Sequence, residues 1–334
     1  MSVSTTTITN RLELVAVDAT QPGASFAQDV RTGLTAQPKW LPSKYFYDEA
    51  GSALFDAITL LPEYYLTRAE TEILTECGWE IVRALGGPVE FVELGSGSAV
   101  KTRILIEEAL RAHGALRYSP IDISPEALRA SALSLVAEYP ALSVTAYAGD
   151  YFGILETPLL RRAGRVLAMF MGSNIGNYAP GEAGRLMRAL AGSLKPGDGL
   201  LLGVDLKKDA AILEAAYDDP AGVTAAFNKN LLVRINGELG GAFDVRAFSH
   251  VAHYEPSHSR VASYLQAERA AAVPIDSLEL SVVFEQGERI HTESSYKFSH
   301  DDIAALGDAS GFSLARTWTD KAQRFGVHLL VRRP

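Results

Sequence analysis

The stretch Val89-Glu90-Phe91-Val92-Glu93-Leu94-Gly95-Ser96-Gly97-Ser98 decides the fold. A mostly apolar run, Val89–Leu94, breaks into a glycine-rich turn, and a helical stretch carrying Lys101 follows. In an open α/β sheet, ligands sit outside the carboxyl ends of the strands. Glycines there let the backbone approach a ligand without a Cβ clash. The same alternation continues downstream. Leu116–Ile121, Ser143–Tyr147, Arg165–Met171 and Gly199–Asp205 read as further apolar strands, separated by helical stretches. Ser124 reads as a helix N-cap with Pro125 at the first helical position. Leu194–Gly199 reads as a turn into the fifth strand. Alternating βα units over 88–206 imply a parallel sheet covered by helices on both faces.

The flanks read differently. The first 20 or so residues are expected to be loose, and 25–68 to form short helices and loops rich in aromatic residues. Thr67 and Glu70 fit a capping box that starts a firm helix. After 207 comes a helical stretch, 208–236. Ala247–His253, Arg260–Glu268 and Leu278–Phe284 then alternate in period two, like antiparallel strands. Ser299 and Asp302 suit a helix start, and Phe312–Trp318 with Phe325–Val331 a closing hairpin. The expected division is an α/β domain of 69–206 plus 297–334, and a smaller α+β domain of 20–68 plus 207–296.

Composition narrows the function. The chain has 334 residues, 47% hydrophobic and 21% charged, the proportions of a globular enzyme. Its net charge of −9 disfavours nucleic acid and acidic membranes as partners. No apolar run approaches the ~20 residues of a membrane span, and the polar first residues carry no signal-peptide core. A cytoplasmic, monomeric enzyme acting on a small molecule is the expectation. Cys77 is the single cysteine and reads as a buried apolar residue. His250, His253 and His258 lack metal-ligand spacing, so no metal site is expected.

Three readings of the glycine turn compete. A dinucleotide site wants a third glycine where this chain has Val100. A ligand-free structural turn does not explain why Asp122 and Asp150 stand at the next two strand ends. S-adenosylmethionine has no pyrophosphate and suits both observations. Asp122 would accept the ribose hydroxyls, and Gly149-Asp150-Tyr151 would face the adenine. The fourth strand runs into Met171-Gly172-Ser173-Asn174-Ile175-Gly176-Asn177-Tyr178. There the Gly172 carbonyl and the Asn177 amide could orient an amine and a carboxylate, although Gly/Asn turns are common without any ligand.

Longer segments carry a resemblance. LPSKYFYDEAGSALFDAITLLPEYYLTRAE (41–70), VELGSG (92–97) with KTR (101–103), GDY (149–151), GSNIGNY (172–178), LLGVDLKKD (201–209), AYDDPAGVTAAFNKN (216–230) and TESSYKF (292–298) resemble the histidine-specific N-α-methyltransferases of ergothioneine biosynthesis. The resemblance implies a Rossmann-like class I methyltransferase sheet and a second domain over the substrate. It assigns Gly95, Lys101, Asp122, Asp150 and Tyr151 to S-adenosylmethionine. It gives Tyr64, Asn177 and Tyr217 to the substrate's amino-acid end, and Glu293 and Ser295 to its imidazole. Tyr47 would lie beside that ring, and Tyr47, Gly172 and Asn177 are the catalytic candidates. The product would be the trimethylated betaine of histidine. One position departs from the family: Ser263 stands where a pocket methionine is usual. That departure keeps open a same-family enzyme acting on tyrosine or tryptophan, and an NAD-dependent oxidoreductase is the alternative of another class.

Overall fold

The apolar run Val89–Leu94 forms a strand buried along nearly its whole length; Phe91 and Leu94 are 0% exposed. The computed structural model describes residues 2–18, 25–155, 157 and 164–334. The chain divides into two units. One comprises Met1–Thr20, Arg68–Leu206 and Phe298–Pro334, the other Gln21–Thr67 and Lys207–Lys297.

The first unit is built on a nine-stranded sheet. Its order is Ser2–Thr9, Leu12–Asp18, Leu142–Ala148, Leu116–Asp122, Val89–Leu94, Arg165–Phe170, Gly199–Asp205, Phe325–Arg332 and Phe312–Thr319. The pairs from Leu12–Asp18 through Gly199–Asp205 are parallel. The outer pairs are antiparallel, and the last two strands form the closing hairpin. From Val89–Leu94 the chain builds outward first to one side and then to the other, so the strand order reverses beside it. A crevice opens at such a reversal. Leu94, Ile121, Ile154, Phe170, Leu186 and Leu202 pack into the core that supports it.

Local signals explain the helices here. Ser124 caps Pro125–Glu138 with Pro125 in the first turn, and Ser299 and Asp302 form a reciprocal capping box on His300–Ala309. Two expectations need correction. The N-terminal residues are not loose: Ser2–Thr9 and Leu12–Asp18 are strands of the main sheet. Thr and Val suit a pleated edge, and Leu12, Val15 and Val17 are at most 4% exposed. Arg11 ties this edge down, donating to the carbonyls of Val136 at 2.8 Å and of Tyr139 and Leu142 at 3.0 Å each. Nor do Thr67 and Glu70 cap a helix. The helix Leu66–Arg83 already contains both, and Glu70 turns inward.

The second unit holds a four-stranded sheet, Lys39–Trp40, Arg289–Tyr296, Arg260–Ala267 and Phe248–Glu255 in order, and a separate ribbon of Ala271–Ile275 with Leu280–Phe284. The strand expected at 278–284 therefore pairs with a neighbour the pattern did not reveal. Arg289–Tyr296 was also unforeseen, because its polar sequence hides Ile290, Thr292 and Ser295, which are buried. The helical stretch 208–236 is two helices, Ala210–Tyr217 and Val223–Leu239. Asp219 breaks it, accepting from Val223 N at 3.0 Å and Thr224 N at 2.7 Å. Among the described residues no helix is long and apolar enough to cross a membrane.

Arg11→Ala is expected to destabilise the first unit by about 1–3 kcal/mol, the range for hydrogen bonds from a charged donor. Urea unfolding followed by tryptophan fluorescence measures it, and an unchanged midpoint would contradict the anchoring role.

Candidate active site

In the first unit four strand ends converge. Gly95, after Val89–Leu94, has φ +69°. A Cβ there would lie 2.6 Å from Tyr151 Oη and 3.2 Å from Asn174 Nδ2. Tyr151 follows the strand Leu142–Ala148, and Asn174 follows Arg165–Phe170. Asp122, at the end of Leu116–Asp122, accepts from Gly97 N through one oxygen and from Ser124 N through the other, both at 3.0 Å. Each carboxylate oxygen keeps a lone pair free of those bonds, which suits the two hydroxyls of a ribose. Asp150 is exposed and accepts from Gly153 N at 3.2 Å. Val100, in place of a third glycine, is 66% exposed. This donor set fits S-adenosylmethionine, which presents a diol and an amino-acid end but no pyrophosphate.

Two buried carboxylates lie beside this cradle. Glu93 accepts from Thr102 Oγ1 at 2.8 and 2.9 Å and from Tyr118 Oη. Burial pushes its carboxyl up to about 7, against the lowering effect of those hydrogen bonds. Glu70 pairs with Lys101 Nζ and accepts the Gly172 N–H at 2.9 Å. Lys101, expected at the cofactor, therefore shares its charge with a carboxylate that the sequence had suggested was a helix cap. Gly172 sits at φ +74°, and Asn177 is exposed at the end of the short 3₁₀ turn Asn174–Asn177.

In the second unit Tyr217 Oη and Ser295 Oγ are 2.7 Å apart. Lys297 Nζ donates to both, at 2.8 and 2.9 Å, and stands 4.5 Å from the centre of the Tyr217 ring. Lys297 is 2% exposed. No residue type or spacing singled it out beforehand; only its place in the TESSYKF segment did. Glu293 lies two residues before Ser295 on the same strand, so the two share a face. Burial pushes its carboxyl up to about 7, and the positive charge of Lys297 partly offsets this. Its carboxylate makes no hydrogen bond among the described residues. Ser263 pairs with Glu293 across the strands. It is 2% exposed, and its Oγ has no hydrogen-bond partner among the described residues.

The aromatic residues form a chain of edge contacts. Tyr64 meets Tyr217 at 6.4 Å and Phe55 at 6.2 Å, and Tyr47 meets Phe55 and Phe227 at 5.6 Å each. Tyr64 is buried, whereas Tyr47 is 42% exposed. His250 supports Tyr217 from behind, with Nε2 2.8 Å from its carbonyl and Nδ1 2.7 Å from Asn228 Nδ2. His253 stacks on Tyr264 instead, and no group of three metal-ligating side chains occurs among the described residues. Cys77 lies within the helix Leu66–Arg83 and is only partly buried, a correction to its apolar-core reading; acidic Glu76 and Glu80 nearby account for the polar setting.

A family model described as histidine-specific methyltransferase, SAM-dependent, matches residues 26–332. The histidine N-alpha-methyltransferase of Mycobacterium tuberculosis is 47% identical over 307 residues, 91% of this chain and 94% of that protein. The protein of the same name from Mycolicibacterium smegmatis is 45% identical over 305 residues, with the same coverage of 91% and 94%. Ergothioneine biosynthesis protein 1 of Neurospora crassa is 30% identical over 302 residues, 88% of this chain but 33% of that longer protein. The chain belongs to the S-adenosylmethionine-dependent, histidine-specific methyltransferase family.

Proposed function

We propose that this enzyme methylates the α-amino group of free histidine, carries it to the trimethylated betaine, and so opens ergothioneine biosynthesis. The observation that carries the reading is the buried trio of Tyr217, Ser295 and Lys297 with the partly buried Glu293 on the same strand face as Ser295. Glu293 supplies an acceptor for an imidazole N–H, and the Ser295 hydroxyl meets the other ring nitrogen. A site with polar groups buried for one partner rejects analogues that leave them unpaired. S-adenosylmethionine supplies a methyl group already activated on a sulfonium. The chain's own work is then alignment. Asp122 holds a diol, Gly95 and Gly97 let the backbone approach it, and the Gly172 carbonyl and Asn177 amide orient the amine and carboxylate of the amino acid. Tyr64 and Tyr217, which meet in the second unit, are assigned to the substrate's amino-acid end, with Tyr47 near the ring. The attacking nitrogen must be unprotonated, and an α-amino group with a pKa near ~8 in peptides loses its proton to water without a dedicated base. The small side chains about Gly172 and Gly176 suit an amine that grows by successive methyl groups.

A second reading, methylation of tyrosine or tryptophan, is favoured by one observation. Ser263 leaves a buried hydroxyl without a hydrogen-bond partner among the described residues beside Glu293, where the family usually has a methionine.

Glu293→Ala is expected to raise the KM for histidine by about 10–100-fold, the value of a charge-assisted hydrogen bond. S-adenosylhomocysteine affinity, read by calorimetry, should stay within twofold. An unchanged histidine KM would remove Glu293 from the imidazole site.

The same carboxylate has a stability consequence. Its folded pKa of about 7 lies above the ordinary carboxylate value. Ionisation therefore opposes folding: the cost is absent well below the unfolded pKa, grows as pH rises towards 7, and is complete above it. Glu293→Gln should melt higher than the parent at pH 8, and the two should converge near pH 4. A variant that melts lower at pH 8 would contradict the raised pKa of this carboxyl.

A further inference from the structure

We infer that Glu70 is a positioning residue that links Lys101 of the cofactor cradle to the acceptor turn at Gly172, an inference that rests on the reading of those two residues above. Glu70 is 0% exposed. Its carboxylate pairs with Lys101 Nζ and accepts the Gly172 N–H at 2.9 Å on one oxygen and 3.1 Å on the other. The sheet makes room for it. Gly203, in the strand Gly199–Asp205, has no Cβ, and one built there would overlap Glu70 Oε1. Helix-to-sheet packing alone calls for an apolar side chain here. An ionised carboxylate is costly to bury unless it is paired and hydrogen-bonded, so its partners are the reason to look for a role.

Those partners belong to two different tasks. Lys101 is partly exposed, at 24%, and keeps further N–H groups beyond the one given to Glu70. Its flexible stem is held by the ion pair, so those groups are presented in a fixed direction. Gly172 is held at φ +74°, and a Cβ there would lie 3.6 Å from Lys101 Nζ. Fixing the Gly172 N–H fixes the Met171–Gly172 peptide plane, from which the turn bearing the Gly172 carbonyl departs. One carboxylate therefore sets the direction of a cofactor-binding cation and of an acceptor-binding turn. A shift of Lys101 on cofactor binding is felt at Gly172 through Glu70.

Glu70→Gln tests this, because it keeps an acceptor for the Gly172 N–H and removes the ion pair. The full-length protein would be measured for S-adenosylhomocysteine affinity by calorimetry, for the KM of each substrate, and for melting temperature. The dissociation constant for S-adenosylhomocysteine is expected to rise about tenfold, as for loss of a charge-assisted contact. The histidine KM is expected to rise with it, and Glu70→Asp to recover part of both. In a Lys101→Met background the Glu70→Gln change should add less than twofold, since its partner is already gone. Parental affinity and parental KM values with a lowered melting temperature would reduce Glu70 to a structural residue and overturn the inference. So would effects of the two substitutions that simply add. If Glu70→Gln does not fold, Lys101→Met alone decides: a raised histidine KM supports the link, and an unchanged one overturns it. The calorimetric arm needs no histidine, so an error in the substrate assignment shows separately, as no histidine turnover in the parent protein.

Discussion

A strand buried along both faces, Val89–Leu94, can end only where its backbone finds partners or a ligand. Here it ends beside the reversal of strand order in the main sheet. Everything in the cofactor cradle follows from that placement. The Gly95 turn receives Ile121 O as a hydrogen-bond acceptor at 2.8 Å, and Asp122, Tyr151 and Asn174 arrive there because their strands are parallel neighbours. Parallel pairing brings all their carboxyl ends to one edge of the sheet. Leu12–Asp18, parallel to Leu142–Ala148, brings its own carboxyl end to that edge beside Gly149, whereas Ser2–Thr9 and the closing hairpin extend the sheet by antiparallel pairing.

Each unit carries buried charge, and each does so where chemistry is expected. In the first, Glu70 and Glu93 are buried with Lys101 acting on both. In the second, Lys297 is buried with hydroxyl partners, and Glu293 is raised by burial. Burying charge in this way costs stability, and well-packed apolar side chains would often serve folding as well or better. The return is direction. A hydrogen-bonding group fixed in a poorly solvated setting discriminates between substrates by what it leaves unpaired, which apolar packing does not achieve.

Much of the first unit was legible because its signals are local. The glycine turn, the Ser124–Pro125 helix start, the Ser299–Asp302 box and the apolar strands depend on neighbouring residues in the chain. What escaped depends on distant ones. Glu70 looked like a cap because its true partners, Lys101 and Gly172, lie 31 and 102 residues away. Ser2–Thr9 looked loose because an edge strand needs only a neighbour to pair with, not an apolar face of its own. Arg289–Tyr296 was hidden by its polar sequence, and it is that polarity which makes it a candidate for recognition. The candidate site residues on it, Glu293 and Ser295, came from family resemblance. Lys297, which organises the hydroxyls, came from the structure.

The second unit is proposed to read an imidazole through Glu293 and Ser295. Mass spectrometry of the protein with S-adenosylmethionine and an equimolar mixture of amino acids tests it most directly. Trimethylated histidine is expected as the dominant new species, with tyrosine and tryptophan left unmodified. Methyl groups on another aromatic amino acid, with histidine untouched, would leave the cofactor cradle standing and contradict the imidazole assignment of Glu293 and Ser295.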